Sequence, residues 1–321
     1  LFTDFIADNS NIVSNGTNTS FLFGPFDKAT GTYVLYSNTE SSALTTGTGY
    51  RAASTDGGTF SFTGTVNTGT VNVNISDSGP SYAEWNLIGN PYPSYIKLAD
   101  FLSTNSVYFD NQKMGVYGYD GSASDGWTIY NQAFSDANPN AVITPGQGFY
   151  VASKVGGGTI SFTPNMRAMG TGDDFIIGRT SSANAISHLK LKLKTAAQQY
   201  FTEFYFTDQA SLGLDPGYDA AILGSSAPNF SVYSRLVNEN QGVDMAVQSV
   251  ANSDLSNNLI IPLGVNANQG EQLTISIEST SLDPNIDVYL EDTVANTTVL
   301  LNDSDYTLTP TSNLSEIGRF N

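Results

Sequence analysis

The chain contains no cysteine and one histidine, His188. Without thiols there are no disulfides, zinc–thiolate sites, iron–sulfur clusters or cysteine nucleophiles. With a single imidazole there is no multi-histidine metal site and little basis for a histidine-dependent triad. Cations are scarce too. Twelve Lys and Arg stand against 30 Asp and Glu, a formal charge of −18. Phosphate binding needs clustered Lys and Arg, so nucleic acid is not expected as a partner, and the same sign disfavours an anionic membrane surface. No apolar run is long enough to form a transmembrane helix. Leu1-Phe2-Thr3-Asp4-Phe5 lacks the basic start and apolar stretch of a secretory signal, as a mature secreted chain also would. Charged residues make up only 13%, yet 40% are hydrophobic and 12% aromatic, which is too apolar for an acidic disordered tail.

What is present favours strands and turns. Thr, Tyr and Phe suit strands, and Gly, Asn and Asp suit turns. The 321 residues suggest two domains. Low charge with abundant Thr, Asn and Gly is common in exported bacterial β-proteins, so a secreted or cell-surface location is expected.

An internal repeat organises the first half. Gly47-Thr48-Gly49-Tyr50-Arg51-Ala52-Ala53-Ser54 recurs as Gly146-Gln147-Gly148-Phe149-Tyr150-Val151-Ala152-Ser153. The segment Thr59-Phe60-Ser61-Phe62-Thr63 recurs as Thr159-Ile160-Ser161-Phe162-Thr163. Upstream, Asp4-Phe5-Ile6 with Asn9-Ser10 matches Asp100-Phe101-Leu102 with Asn105-Ser106, and Phe26-Asp27 matches Tyr119-Asp120. The offsets run from 93 to 100 in the same order. We expect a duplicated β domain over 1–170, with copies at about 1–80 and 81–170. The second copy opens with Trp85-Asn86-Leu87-Ile88-Gly89-Asn90-Pro91-Tyr92-Pro93. The first has no room for that segment, so Leu1 is expected to lie inside a repeat. Ile96–Leu102 is the clear helical patch, with a counterpart near Asp4–Ala7.

The composition shifts after Met169-Gly170-Thr171-Gly172-Asp173-Asp174, read as a linker. His188–Lys194 then alternates with period two, three Leu facing in and three Lys facing out. Phe201–Phe206 is its hairpin partner. Further strands are expected at 230–233, 243–250, 259–263, 272–277, 286–290, 298–301 and 306–308, with another starting at Gly318-Arg319-Phe320. The fold class is therefore all-β: tandem antiparallel β-sandwich domains, the first an internal duplication and the second, 175–321, jelly-roll-like.

Candidate sites are few. Tyr117, Tyr119, Trp127 and Tyr130 could stack on sugar faces, or pack a sheet as core aromatics do. The loop 120–126 offers Asp120 and Asp125 as candidate calcium ligands; Asp-Gly is also the common turn pair. Asp173-Asp174, Asp215 with Asp219, and Asp303 with Asp305 are equivalent alternatives. Otherwise no cofactor is expected. His188, at a strand start, is expected at the surface. There is no nucleophile elbow, no zincin motif and no phosphate loop. No catalytic residue is assigned and an enzyme is not expected.

The Trp85–Pro93 segment, then Ile143-Thr144-Pro145-Gly146-Gln147-Gly148-Phe149, then Asp287-Val288-Tyr289-Leu290-Glu291-Asp292-Thr293, carry a resemblance. Together they resemble the β-rich regions that precede the sorting domain in type IX secretion substrates of the Bacteroidetes. The resemblance implies export and display at, or release from, the cell surface. Asp292-Thr293-Val294 resembles the O-glycosylation acceptor of that phylum, which makes Thr293 a candidate modified residue. The expected role is a non-enzymatic structural or adhesive surface protein. Its partners would be further copies or other surface proteins, and strand addition at open ends would build filaments. The alternative is a carbohydrate-binding module of a larger polysaccharide-degrading enzyme. Exposed aromatics would favour the alternative, buried ones the first reading.

Overall fold

A helix of two turns cannot hold itself in water. The first helix, α1 (Phe2–Asp8), forms because Phe2 and Phe5 are buried against Ile12, Phe21 and Phe23. Its counterpart α2 (Leu98–Asn105) buries Leu98, Phe101 and Leu102. The computed structural model describes residues 1–119, 127–171, 186–224, 226–256 and 258–321. The chain separates into two compact units: Leu1–Asp110 with Asn140–Ile177, and Asn111–Pro139 with Gly178–Asn321. The expected single division near 170–175 is thus not where the contacts divide, since Asn111–Pro139 groups with the second unit.

The first unit holds the helix and the Gly-x-Gly segment of each copy. In each copy an asparagine at the end of the helix clamps a strand-forming segment. Asn9 donates to the carbonyls of Phe5 (2.7 Å) and Ser61 (2.8 Å) and accepts from the Ser61 N–H (2.7 Å). Asn105 donates to Phe101 (3.0 Å) and Ser161 (3.1 Å) and accepts from the Ser161 N–H (2.8 Å). The bridge Ile12–Ser54 has its counterpart in Phe109–Ser153. The turn before each Gly-x-Gly strand is the same: Gly47 and Gly146 both take left-handed backbone, φ +79° and +68°.

Between the copies lies one strand, Trp85–Gly89, with both edges in use. One edge pairs antiparallel with Gly148–Ala152. On the other, Gly49 donates to the Leu87 carbonyl and Gly89 to the Gly47 carbonyl. Asn-Pro-Tyr-Pro then turns the chain, and Tyr92 is buried with its hydroxyl donating to the carbonyls of Gly69 (2.8 Å) and Phe162 (2.7 Å). The expected helix start is corrected here. Ile96 belongs to a strand, Tyr95–Lys97, paired with Val142–Ile143 and Arg167–Ala168, and the helix begins at Leu98. A β-branched residue with two ladder partners does better extended than helical.

In the second unit, Val116–Gly118 pairs with Thr128–Tyr130, and α3 (Gln132–Ala137) follows. Asn131 caps α3 by accepting from the Phe134 N–H at 3.0 Å. An eleven-stranded sheet makes up the rest. His188–Lys194 (strand Ser187–Lys194) lies third from one end of its strand order, with Leu189, Leu191 and Leu193 buried as the alternation requires. Its neighbours are Gln199–Phe206 and Leu273–Thr280. One pair departs from the antiparallel expectation: Gln199–Phe206 runs parallel to Met245–Val250. The strand expected at 259–263 lies instead at Leu263–Ala267. Pro262, lacking an N–H, precedes the ladder rather than joining it. Gly318–Phe320 ends a strand, Leu314–Phe320, rather than starting one.

The sheet curls until its ends meet. Tyr306, on the last strand of the order, donates at 2.6 Å to Asp292, on the second strand from the opposite end. Arg319 adds donations to both Asp292 oxygens, the closest at 2.6 Å, and the N–H groups of Val294 and Ala295 complete the set. Leu191, Leu193, Val232, Val265 and Ile275 fill the interior. The all-β sandwich class expected from the strand count holds, and the near-closure of the sheet is what the structure adds.

Candidate functional site

The four aromatics proposed as a glycan platform do not form one. Tyr117 is fully buried, its hydroxyl donating to the Ala221 carbonyl at 2.8 Å. Tyr130 is buried face to face on Phe134, with centroids 3.9 Å apart, and burial pushes its hydroxyl pKa up. Rings buried to this degree have no face left for a sugar. Tyr119 and Trp127 do reach solvent, their centroids 5.5 Å apart and tilted by 49°. Period two predicted one face for Tyr117 and Tyr119, but the strand ends at Gly118 and the alternation ends with it.

Asp120 and Asp125, the proposed calcium ligands, lie outside the described residues, as does Asp173-Asp174. Among the described residues no group of three His, Asp or Glu could hold a metal. Asp219 is fully buried and accepts from the N–H groups of Asp215 and Ser249, 2.7 Å each. Burial dominates those bonds and pushes its carboxyl up to about 7. Asp215 in turn accepts from the N–H of Ser211 at 2.6 Å. These two carboxylates tie a turn together.

His188 is not at the surface: it is 3% exposed. It faces Tyr205 across the hairpin, and its Nε2 lies 2.9 Å from Glu203. Lys190 and the Tyr205 hydroxyl also reach Glu203, each at 3.0 Å. Burial alone would raise the Glu203 carboxyl, but His188 and Lys190 outweigh it and hold it well below the usual range. The register that pairs Lys190 with Glu203 was the available signal. A pairing 15 residues away across a hairpin is invisible to a reading of His188 alone. Asp292 behaves likewise: burial would raise it, while Arg319 and Tyr306 hold it at about 2. Thr293 is exposed, with its hydroxyl donating to the carbonyls of Gly318 (3.2 Å) and Arg319 (3.0 Å).

The feature that sequence reading missed is an open edge in the first copy. Thr59–Thr63 joins no sheet, whereas its counterpart Gly158–Phe162 pairs with Val71–Ile75. Phe62 sits 5.0 Å from Phe5, centroid to centroid, much as Phe162 sits 5.4 Å from Phe101. Yet Phe62 is 65% exposed and Phe162 is 0% exposed. Val66 beside it is exposed as well. Comparing the burial of equivalent positions in the two copies is what reveals it.

Fold and clusters together define a two-unit all-β protein whose first unit holds the helix-and-asparagine clamp of both copies. The chain belongs to the family described as a domain of unknown function, DUF8693, whose model matches residues 6–321 and so runs through both units. No curated protein and no solved structure matches it.

Proposed function

We propose that the chain is a non-enzymatic structural or adhesive module displayed at, or released from, the cell surface, like the regions before the sorting domain of type IX substrates. The observation that carries this reading is the open, uncharged strand edge at Thr59–Thr63 with Phe62 turned to solvent. An unpaired edge is a template for another chain, and monomeric proteins ordinarily guard such edges with charge, proline or a bulge. The ionisable residues support the same reading. Asp292, Glu203 and Asp219 are each engaged in holding strands or turns together, at the distances given above. Assembly into filaments by strand addition is the stronger form of this role. Asp292-Thr293-Val294 stands as a proposed glycosylation acceptor, with Thr293 exposed at a turn.

The test is display of the chain on an outer-membrane carrier. Cells bearing it should be retained on glass, on other cells or on polysaccharide several-fold above carrier alone. Retention equal to carrier alone on every surface would sink the adhesive reading. The carbohydrate-binding alternative retains Tyr119 and Trp127 as its stacking pair. Quenching of Trp127 fluorescence by a soluble polysaccharide, abolished in Tyr119→Ala, would favour it instead.

A further inference from the structure

In the second copy, both edges of Gly158–Phe162 are used. Ser161 directs its N–H and C=O to the Asn105 side chain. Strand geometry then turns the N–H and C=O of Ile160 and Phe162 the opposite way, towards Val73 and Val71. The partner strand alternates: Val71, Val73 and Ile75 are at least half-buried, while Asn72 and Asn74 are exposed. Those two asparagines accept from the Ser161 and Thr159 hydroxyls, 2.9 Å each.

The first copy reproduces half of this arrangement. Ser61 gives its N–H and C=O to Asn9, so those of Phe60 and Phe62 face away. Among the described residues these four main-chain groups have no hydrogen-bond partner. Thr59-Phe60-Ser61-Phe62-Thr63 contains no charge and no proline. Phe60 and Phe62 are both held over Phe5, at 5.8 and 5.0 Å, so the apolar face is formed before anything covers it. The same surface in the second copy is covered by a strand of small β-branched residues alternating with asparagine. A second Thr59–Thr63 edge would fit poorly, because it would place Phe where the fitted partner has Val.

We infer that the Thr59–Thr63 edge binds an extended segment of a partner polypeptide with the chemistry of Val71–Ile75: Val or Ile alternating with Asn or Thr, antiparallel, its apolar residues over Phe62 and Phe5. The inference rests on the proposed role as an interaction module and names what the first copy takes. Main-chain bonds would supply affinity, and the alternation would supply register.

The probe is a synthetic peptide of sequence 69–77 added to the full chain, followed by residue-resolved amide hydrogen exchange. The amides of Phe60 and Phe62 should slow by about tenfold or more, while that of Ser61, already bonded, should change little. Methylating the peptide nitrogen of Val73 should abolish the effect, and methylating that of Asn72, on the free edge, should spare it. Phe62→Asp should weaken peptide binding by about tenfold without lowering Tm, since Phe62 is exposed. The inference is overturned by no slowing at saturating peptide, or by equal effects of the two methylated peptides. It is also overturned if Phe60 and Phe62 are already protected, in a concentration-dependent way, by edge-to-edge pairing of Thr59–Thr63 between two copies of the chain. Loss of adhesion in displayed cells, with the peptide still protecting the edge, would remove the adhesive role and leave the edge assignment standing.

Discussion

The two copies hold the same helix to the same strand segment with the same asparagine, yet one finishes a core and the other does not. Phe62 and Phe162 stack on equivalent phenylalanines at nearly equal distances, and their exposures are 65% and 0%. The difference is made by residues outside the repeated motif: the strand Val71–Ile75 and the Tyr92 hydroxyl, both of which serve the second copy. Burial here is a property of the neighbour that arrives, not of the residue that waits. The local clamp forms without that neighbour, so a duplicated unit can be locally complete and still present an open edge.

The sharpest way to test this contrast is to truncate the matched phenylalanines. Phe162→Ala should cost about 3–5 kcal/mol by urea unfolding, the usual range for a fully buried aromatic, and Phe62→Ala under about 1. Equal costs would mean that Phe62 is covered in solution. The matched asparagines should differ less. Asn105→Ala strands the half-buried Ser161 N–H and C=O and should cost about 3 kcal/mol. Asn9→Ala should cost about 1, because the exposed Ser61 can turn to water.

Acid should separate the neutral, amide-clamped repeat from the carboxylate-locked sandwich. The folded Asp292 carboxyl is depressed to about 2, so its contribution is complete above the ordinary Asp pKa and is lost as pH falls from about 4 to 2. The shift corresponds to at most about 2 kcal/mol. Glu203, also depressed, adds loss in the same direction. Trp85 lies in the first unit and Trp127 in the second, so fluorescence of single-tryptophan variants should show the second unit yielding first. The smallest effect expected is at the two left-handed glycines. Gly146→Ala, with open space around it, should cost about 1 kcal/mol from backbone conformation. Gly47→Ala should cost more, because the new Cβ would lie 2.4 Å from Val73 Cγ2.

The repeat was legible because its constraints are local. A left-handed glycine, an asparagine at a helix end and a phenylalanine one turn earlier must each recur at fixed spacing. The Leu/Lys alternation of 188–194 was legible for the same reason. What escaped depends on distant partners. Tyr117 is core because Ala221 receives its hydroxyl, and His188 is buried because Glu203 and Tyr205 lie opposite. The parallel pair 203–206 with 247–250 is a tertiary choice that no turn signal announces. α3 was missed because six residues of QAFSDA carry little periodicity, and it is Asn131 that starts the helix. Of the proposed site aromatics, the two that retain surface are those beyond the end of a strand, where alternation no longer predicts direction.

The strand Trp85–Gly89 is bonded along one edge to the Gly-x-Gly strand of the second copy and along the other to that of the first. Neither copy's Gly-x-Gly segment can melt without taking main-chain bonds from this shared strand, so within the first unit the two should unfold together. In a longer array, the same device at every junction would make stability a chain of nearest-neighbour couplings, each repeat stiffened by the next.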